Sequence, residues 1–212
     1  MRRLVISLAV LAVVLFAADY GLRLYSESVV GNEVKASLHL SQKPSVSLDG
    51  WPFLTHLASG ELPGASFSAD ALVAHGVALR SVKVSLTDVK FPSGRLLSGG
   101  GGTIHAKSGH GTAVMTAADV NAALRRSGAP FAVAIANGRA SVSSHGLHVG
   151  VSVKLEGNAI VLSPSAVGAV SARFALPRIV PGLRYTGLTL EGSDAVLTVS
   201  LRNPAFVLPA SG

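Results

Sequence analysis

A chain of 212 residues that contains no cysteine cannot form disulfide bonds, thiolate metal sites or a cysteine nucleophile. Its hydrophobic fraction of 49%, charged fraction of 14% and 23 glycines are typical of one ordered, β-rich domain and argue against a disordered chain. The net charge of +7 comes from scattered Lys and Arg residues without interleaved aromatic residues, so it suits lipid head groups and argues against nucleic acid as a partner.

The N-terminus has the form of an export signal. Arg2 and Arg3 precede an uninterrupted apolar run over residues 4–18, which as a helix would be about 22 Å long. A bilayer core needs about 20 apolar residues, so the run is short for a membrane span. A cleaved signal peptide and an uncleaved anchor both fit, and we prefer the anchor because no clean Ala-x-Ala site precedes Asp19. We predict that residues 1–20 are a signal peptide or inner-membrane anchor, and that the rest is exported to the periplasmic side of the cell envelope.

The residues from Gly21 to Leu38 show helical periodicity. Apolar side chains recur at helical spacing in two series, Leu22, Tyr25 and Val29 and then Val30, Val34 and Leu38. The opposite side carries charged residues such as Arg23 and Glu27. Because an amphipathic helix buries its apolar side, we expect this stripe to lie on a sheet.

The next segment concentrates aromatic residues in a turn. After a short alternating strand at residues 46–48, Gly50 breaks the strand and Trp51-Pro52-Phe53-Leu54 follows. Trp51 is the single tryptophan of the chain, and the proline beside it fixes φ and donates no backbone hydrogen bond. A tryptophan in such a turn is either a plug in the core or part of a contact surface.

This segment resembles the signature of the LmeA-like family, whose members are actinobacterial cell-envelope proteins that bind phospholipid. The resemblance rests on Gly50-Trp51-Pro52-Phe53-Leu54-Thr55, which follows the Val46-x-Leu48 strand and precedes Gly60. It extends over most of the chain after the apolar run, with one departure, since His56 stands where we expect Gln. The resemblance implies non-enzymatic binding of phospholipid, with phosphatidylinositol-type lipids as the suggested ligand class, and a fold related to tubular lipid-binding domains.

Strands and one short helix follow in the middle of the chain. Apolar and polar residues alternate over residues 66–71 and again over residues 82–87, which predicts two strands. The glycine-rich residues 98–102 lack the Gly-Lys-Ser/Thr sequence and the helix of a phosphate-binding loop, so we interpret them as a spacer. Thr116 and Asp119 have the spacing of a capping box and predict a short helix from that point.

The C-terminal part is predicted to consist of strands joined by short turns. Apolar residues alternate or cluster at 131–135, 140–142, 147–155, 159–162, 170–176, 188–190 and 197–201. Asn137-Gly138 predicts a tight hairpin between the first two. The sum is an α+β domain over residues 21–204, in which a curved antiparallel sheet wraps around one long N-terminal helix, with one short helix in addition. Residues 205–212 are predicted to be a tail.

Catalytic constellations are missing from the sequence. It lacks the His-Glu-x-x-His motif, the Gly-x-Ser-x-Gly elbow and an Asp-rich calcium loop. Four histidines could converge on a metal, but few acidic residues lie near them to orient their imidazoles: His105, His110, His145 and His148. The isolated carboxylates fit turns and caps better than a catalytic pair: Asp49, Asp88 and Asp119. We predict no enzyme, no metal site and no cofactor.

Apolar surface is the remaining candidate for function. A lipid-binding groove needs an apolar channel, in which each buried methylene contributes about 0.8 kcal/mol, and a cationic mouth for phosphate. We predict such a groove between the helix and the sheet. Two apolar loops are predicted to dip into a membrane or to gate the groove, and their lipid-contacting residues are Trp51, Pro52, Phe53, Leu54, Leu57, Ile179, Val180 and Leu183. Arg178 and Arg184 bracket the second loop and are predicted to bind the head-group phosphate.

Two functions remain open from the sequence. The first is a phospholipid-binding protein of the envelope, with phospholipid and a membrane surface as partners, which presents or transfers lipid. The second is a structural or interaction domain of the envelope with a filled core and no lipid ligand. A hydrolase acting on envelope lipids is disfavoured, because no nucleophile with a neighbouring base is apparent.

Overall fold

The computed structural model describes residues 2–37, 40–74, 77–97, 101–126, 131–144, 147–164, 171–176 and 181–208. The helices in these ranges are α1 (Arg2–Ser37), α2 (Phe53–Ser59), α3 (Ser93–Leu97) and α4 (Ala117–Arg126). The strands are β1 (Ser45–Leu48), β2 (Glu61–Ala74), β3 (Val77–Lys90), β4 (Gly102–Thr116), β5 (Ala132–Ala136), β6 (Arg139–Ser144), β7 (Leu147–Glu156), β8 (Ala159–Pro164), β9 (Ala172–Ala175), β10 (Leu183–Glu191), β11 (Asp194–Arg202) and β12 (Ala205–Leu208).

The strands form two antiparallel sheets. The large sheet has the order β1-β2-β3-β4-β11-β10, and β12 also pairs with β4. The small sheet has the order β5-β6-β7-β8-β9. The predicted α+β class, with a long N-terminal helix and a curved antiparallel sheet, is confirmed. The division of the strands between two sheets was not predicted.

The two faces of the large sheet differ in polarity. Residues opposite each other on neighbouring antiparallel strands share a face. One face is apolar, as in the rows Ala65–Leu86–Gly109–Leu201–Leu183 and Phe67–Val84–Gly111–Val199–Tyr185. The opposite face is polar, as in the row Ser66–Ser85–His110–Ser200–Arg184. We call the apolar face the inner face and the polar face the outer face.

Two residues with positive φ keep apolar side chains on the inner face. Ala71 has a φ of 53° and Asp88 a φ of 52°, both in the left-handed region. Ala69 and Leu72, which flank the first, pack in one cluster although they are three residues apart. A regular strand would place them on opposite faces. The local change of backbone conformation therefore corrects the alternation where the sequence breaks its period of two.

Helix α1 contacts β1 and α2 through its polar side. The helix is unbroken across the predicted boundary between residues 20 and 21. Leu22 packs on the core as predicted, but Tyr25 and Val29 are exposed, so the predicted docking of that stripe on the sheet is wrong for these two residues. The reason is that Arg23 donates a hydrogen bond to β1 and Glu27 accepts one from it, which holds the opposite side of the helix against that strand. In the second stripe, Val30 is exposed as well, Val34 is half-buried, and Leu38 lies outside the described residues.

Several predicted local elements are confirmed. Thr116 and Asp119 form the capping box of α4, since the Asp119 carboxylate accepts from the Thr116 N–H at 3.0 Å and the Thr116 hydroxyl accepts from the Asp119 N–H at 3.2 Å. Asn137 and Gly138, with φ of 52° and 69°, form the tight turn between β5 and β6.

Residues 205–208, expected to belong to a tail, instead form β12 on β4.

The core lies along the inner face in separate clusters. At one end of the large sheet, Phe53 of α2 packs with Leu62 of β2 and Val89 of β3. At the other end, Leu124 of α4 packs with the small sheet and with Ala195 of β11. We call these the α2 end and the α4 end of the large sheet. The half-buried inner-face residues of the large sheet lie between them.

Candidate lipid-binding site

A cavity of about 250 Å³ lies between the small sheet, α4 and the last strands of the large sheet. Its lining is apolar and comes from eight strands, one helix and one residue after β9: Met115, Val120, Leu124, Val133, Ile135, Ala140, Val153, Ile160, Leu162, Phe174, Ala175, Leu176, Leu188, Leu190 and Ala195. Ala175 is exposed to solvent as well, so the cavity reaches the surface beside β9. It lies at the α4 end and not beneath α1, where the groove was predicted.

Small side chains in rows of large ones account for the space. In the small sheet Ala140 lies between Ile135 and Val151. In the large sheet Ala195 lies between Leu190 and Met115. Protein interiors are otherwise packed as densely as organic crystals. A methyl group at these two central positions therefore leaves volume that neighbouring side chains do not fill.

The chemistry of the cavity favours hydrocarbon over water. A buried water needs two to four polar partners, and the apolar side chains that line the cavity provide none. An apolar cavity of about 150 Å³ is large enough to bind benzene, so this larger one can hold a longer hydrocarbon group.

The size of the cavity limits what it can hold. Sites that enclose a whole drug-sized ligand measure about 300–1,000 Å³. The volume of about 250 Å³ therefore suits part of one acyl chain, and a phospholipid bound there must leave its head group and its other chain outside.

Residues 50–61, which we call the Trp51 loop, lie at the α2 end, on the surface. Trp51 is 71% exposed, and Leu54 and Pro52 are exposed beside it. Phe53, in contrast, is 1% exposed and belongs to the core cluster of the α2 end. Its predicted role as a lipid contact is not compatible with this burial, because the helix turn directs the side chain inward. Leu57 is half-buried and packs on the same cluster.

A carboxylate of α1 caps the N-terminus of α2. Asp19 is 6% exposed, and its two oxygens accept hydrogen bonds from the Phe53 N–H at 2.9 Å and the Leu54 N–H at 2.7 Å. Pro52, at the N-cap position, makes no side-chain cap. The cap that α2 needs is therefore supplied from 34 residues earlier in the chain.

Two further side chains of α1 continue this contact along β1. Arg23 donates to the Ser47 hydroxyl at 3.2 Å and to the Glu27 carboxylate at 3.0 Å. The same Glu27 carboxylate accepts from the Leu48 N–H at 2.8 Å. Because Asp19, Arg23 and Glu27 are four residues apart, they form one line on the helix. We call this line the polar ladder.

The departure from the family motif at His56 has a local explanation. His56 Nδ1 lies 3.0 Å from the carbonyl oxygen of Glu61, and the ring lies against Gly50. A Cβ on Gly50 would come within 2.7 Å of the His56 ring, so only glycine allows this approach. The side chain at position 56 therefore holds the two ends of the Trp51 loop together.

The second predicted loop is only partly described. Arg178, Ile179 and Val180 lie outside the described residues. Leu183 is half-buried on the inner face, whereas Arg184 is exposed on the outer face, in the row of Ser200. β10 and β1 are opposite edges of the large sheet, about 24 Å apart at the usual strand spacing. The structure thus does not bring Leu183 and Arg184 together with the Trp51 loop.

The polar groups of the site are few. Tyr185 lies on the inner face, and burial raises the pKa of its phenol above the ordinary value of 10.0. His105, His110 and His148 are exposed, and His145 lies outside the described residues. Among the residues that the structure describes, no group of three or more His, Asp or Glu side chains could hold a metal ion.

The cavity residues were recognisable as core positions but not as a site. The alternation in β5 and β7 marked Val133, Ile135 and Val153 as facing inward. Nothing in that pattern shows that α4 and β10 would pack against them with a space between. The small residues Ala140 and Ala195 in otherwise bulky rows were the available signal, and it acquires meaning only once the strand register is known.

One helix of the described residues, over Ala9–Ala36, is long and apolar enough to cross a membrane, by its length and composition.

Comparison with protein families finds the LmeA-like phospholipid-binding family, whose model matches residues 17–211. Curated proteins and solved structures gave no match. The match covers nearly the whole chain and agrees with the resemblance of the Gly50–Thr55 segment. The chain therefore belongs to the LmeA-like phospholipid-binding family.

Proposed function

We propose that this protein binds a phospholipid without chemical reaction, holds part of one acyl chain in the cavity at the α4 end, and presents or transfers the lipid in the cell envelope. The observation that carries the proposal is an apolar cavity of about 250 Å³ in a chain of a phospholipid-binding family. At about 0.8 kcal/mol for each buried methylene, a short segment of acyl chain already contributes several kcal/mol to binding.

The inner face of the large sheet offers surface for the rest of the lipid. Leu188 and Leu190 line the cavity, and Leu183 and Tyr185 continue the same strand toward the α2 end. The neighbouring inner-face residues, such as Val199, are half-buried and apolar. A second acyl chain could lie there without leaving apolar surroundings.

The remaining assignments follow from the exposed loops. Trp51 and Leu54 are suited to contact a membrane surface, since both are exposed and apolar. Head-group binding by Arg178 and Arg184 stays a prediction, and Arg184 would make it only with a head group on the outer face. The apolar run in α1 supports export, with the helix as signal peptide or anchor.

Native mass spectrometry of the gently purified full chain tests the proposal. We expect a phospholipid to copurify, and the delipidated protein to take up lipid from vesicles of phosphatidylcholine with and without phosphatidylinositol. Preferential uptake from the vesicles that contain phosphatidylinositol would support phosphatidylinositol-type ligands. A folded protein that carries no lipid and takes none up would contradict the proposal and favour a structural role.

A matched pair of variants ties that binding to the cavity. Ala140→Phe should fill part of the cavity and reduce lipid occupancy severalfold, because Ala140 lines it and is buried. Ala134→Phe on the neighbouring strand is the control, since Ala134 is exposed on the other side of the small sheet. Ala195→Leu repeats the test from the large sheet if the first variant does not fold. Equal occupancy in Ala140→Phe and Ala134→Phe would exclude the cavity as the site.

A further inference from the structure

The first half of α1 exposes apolar side chains that nothing else in the described structure covers. Its large residues after position 9 are exposed: Val10, Leu11, Val13, Val14, Leu15 and Phe16. A contiguous exposed apolar surface marks contact with a membrane or with another protein. Contacts with the domain begin at Asp19 on one side of the helix. Large apolar residues on the other side stay exposed beyond that point: Tyr20, Leu24, Tyr25, Val29 and Val30.

The polar ladder holds α1 against the domain. No flexible linker separates the apolar first half of this helix from the half that contacts the domain. Asp19 accepts a hydrogen bond from α2, and Glu27 accepts one from Leu48, the last residue of β1. Both carboxylates belong to one unbroken helix. Lys43 also donates to Ser28, the residue after Glu27, at 2.7 Å. The direction of the helix therefore fixes the direction of the large sheet.

The strands of the large sheet run along the same direction as α1. Asp19 lies at the α2 end, and Leu40, just after the helix, packs with Leu72 far along β2. From Leu62 to Leu72, β2 covers about 33 Å at roughly 3.3 Å per residue. The helical residues 19–37 cover about 27 Å over the same interval. A helix that crosses the membrane thus directs the strands away from it.

Exposed aromatic residues collect where α1 first contacts the domain. Trp51 precedes Phe53 by two residues, so its Cα lies within about 7 Å of the N–H that Asp19 binds. Tyr20 is exposed on the next position of α1, and Leu54 is exposed on α2. Tryptophan and tyrosine favour the boundary between hydrocarbon and water.

We propose that the junction of α1 and α2, with Tyr20, Trp51 and Leu54, is a bilayer-contact surface, and that the polar ladder holds the large sheet perpendicular to the membrane above it. Met115 of the cavity is ten residues along β4 from His105, which lies in the Glu61 row of the α2 end. The cavity is then about 30 Å from the membrane surface. The apolar inner face spans that interval. This inference concerns orientation, and it does not require the cavity to be occupied.

Two exposed valines at opposite ends of the sheet provide a direct test. Val207 is 78% exposed and lies at the α2 end, and Val73 is 64% exposed and lies at the opposite end, near the last residue of β2. The chain has no cysteine, so Val207→Cys and Val73→Cys each accept one fluorescent label. The full chain is placed in phosphatidylcholine vesicles that contain an acceptor-labelled lipid. We expect severalfold more energy transfer from position 207 than from position 73. Equal transfer, or more from position 73, would overturn the proposal.

Trp51 reports on the contact without any label, because it is the only tryptophan. Its emission should be quenched by phosphatidylcholine brominated near the head-group end of the acyl chains, and less by lipid brominated near the chain ends. Asp19→Ala removes both bonds to α2 and should lower this quenching and the difference between positions 207 and 73, whereas Asp70→Ala, in an exposed strand position, should not.

The outcomes separate this proposal from the proposed function. If the protein takes up no lipid but energy transfer still differs between positions 207 and 73, only the lipid-carrier role is contradicted. Lipid uptake without quenching of Trp51 would contradict the bilayer contact alone. If Asp19→Ala does not fold, the two labelled valine variants still decide the orientation, because they leave the ladder unchanged.

Discussion

Asp19 shows how much one residue can determine in this chain. From the sequence it is the acidic residue that ends an apolar run. In the structure its carboxylate is buried, accepts from two backbone N–H groups and caps a helix that has no cap of its own. A local pattern cannot reveal a cap supplied from 34 residues away, because capping motifs are recognised within a single turn.

Neighbouring aromatic residues of the Trp51 loop should respond oppositely to truncation. Phe53→Ala should lower the free energy of unfolding by about 3–5 kcal/mol, because Phe53 is buried in the core cluster. Trp51→Ala should change it by no more than about 0.5 kcal/mol, because Trp51 is 71% exposed, but should weaken binding to vesicles. Chemical denaturation followed by circular dichroism gives both values. A large loss of stability in Trp51→Ala would show that the side chain is part of the core.

Tyr185 should make the protein less stable at alkaline pH. Burial raises the pKa of its phenol, so the folded state disfavours the ionised form. Below the ordinary pKa of 10.0, Tyr185 is neutral in both states and has no effect of this kind. As the pH rises above that value, the unfolded chain loses the proton first and stability falls. Thermal unfolding measured from neutral pH to above pH 10 should show a steeper fall for the wild type than for Tyr185→Phe. Parallel curves would contradict the burial effect.

Among the secondary-structure elements, sequence motifs correctly predicted those that depend on interactions between neighbouring residues. The capping box at Thr116 and Asp119 and the turn at Asn137 and Gly138 are formed as expected, since both are complete within a few residues. Helix α2 was not predicted, because it has only seven residues and its N-terminal cap comes from α1.

The docking side of α1 illustrates the opposite case. Apolar periodicity pointed to the side with Tyr25 and Val29, yet these residues are exposed and the polar ladder faces the sheet. An apolar stripe predicts which side of a helix is buried only if burial of that stripe determines how the helix packs. Here three hydrogen-bonded side chains of α1 fix it, and their partners Ser47, Leu48 and Phe53 carry no recognisable signal in the sequence.

The left-handed residue in β2 gives a prediction for an element. Ala71 is exposed with a φ of 53°, a conformation that costs a residue with a Cβ about 1–2 kcal/mol. Ala71→Gly should therefore be neutral or stabilise by up to about 1 kcal/mol, once the greater entropy of glycine in the unfolded state is included. Ala134→Gly, in a strand of ordinary conformation, should instead cost about 0.5–1 kcal/mol. Equal losses in denaturation midpoints would show that the conformation of Ala71 carries no strain.

For the whole molecule, the sequence predicted the class of fold but not the position of the site. Alternation identifies which side chains face inward, but it cannot assign twelve strands of the described residues to two sheets, because pairing between β4, β11 and β12 joins distant segments. The cavity depends on that assignment, since Ala140 and Ala195 belong to different sheets. The family resemblance indicated lipid binding, whereas the location of the cavity required the tertiary structure.

Photocrosslinking most directly tests whether an acyl chain occupies this cavity. The protein is loaded with a phospholipid that carries a diazirine at the end of one acyl chain, irradiated, and digested for peptide mass spectrometry. We predict adducts on cavity-lining residues of three elements, such as Leu124, Leu162 and Leu188, and their severalfold loss in Ala140→Phe. Adducts confined to the exposed stripe of α1 at Tyr25 and Val29, or to the outer face of the large sheet, would contradict the account.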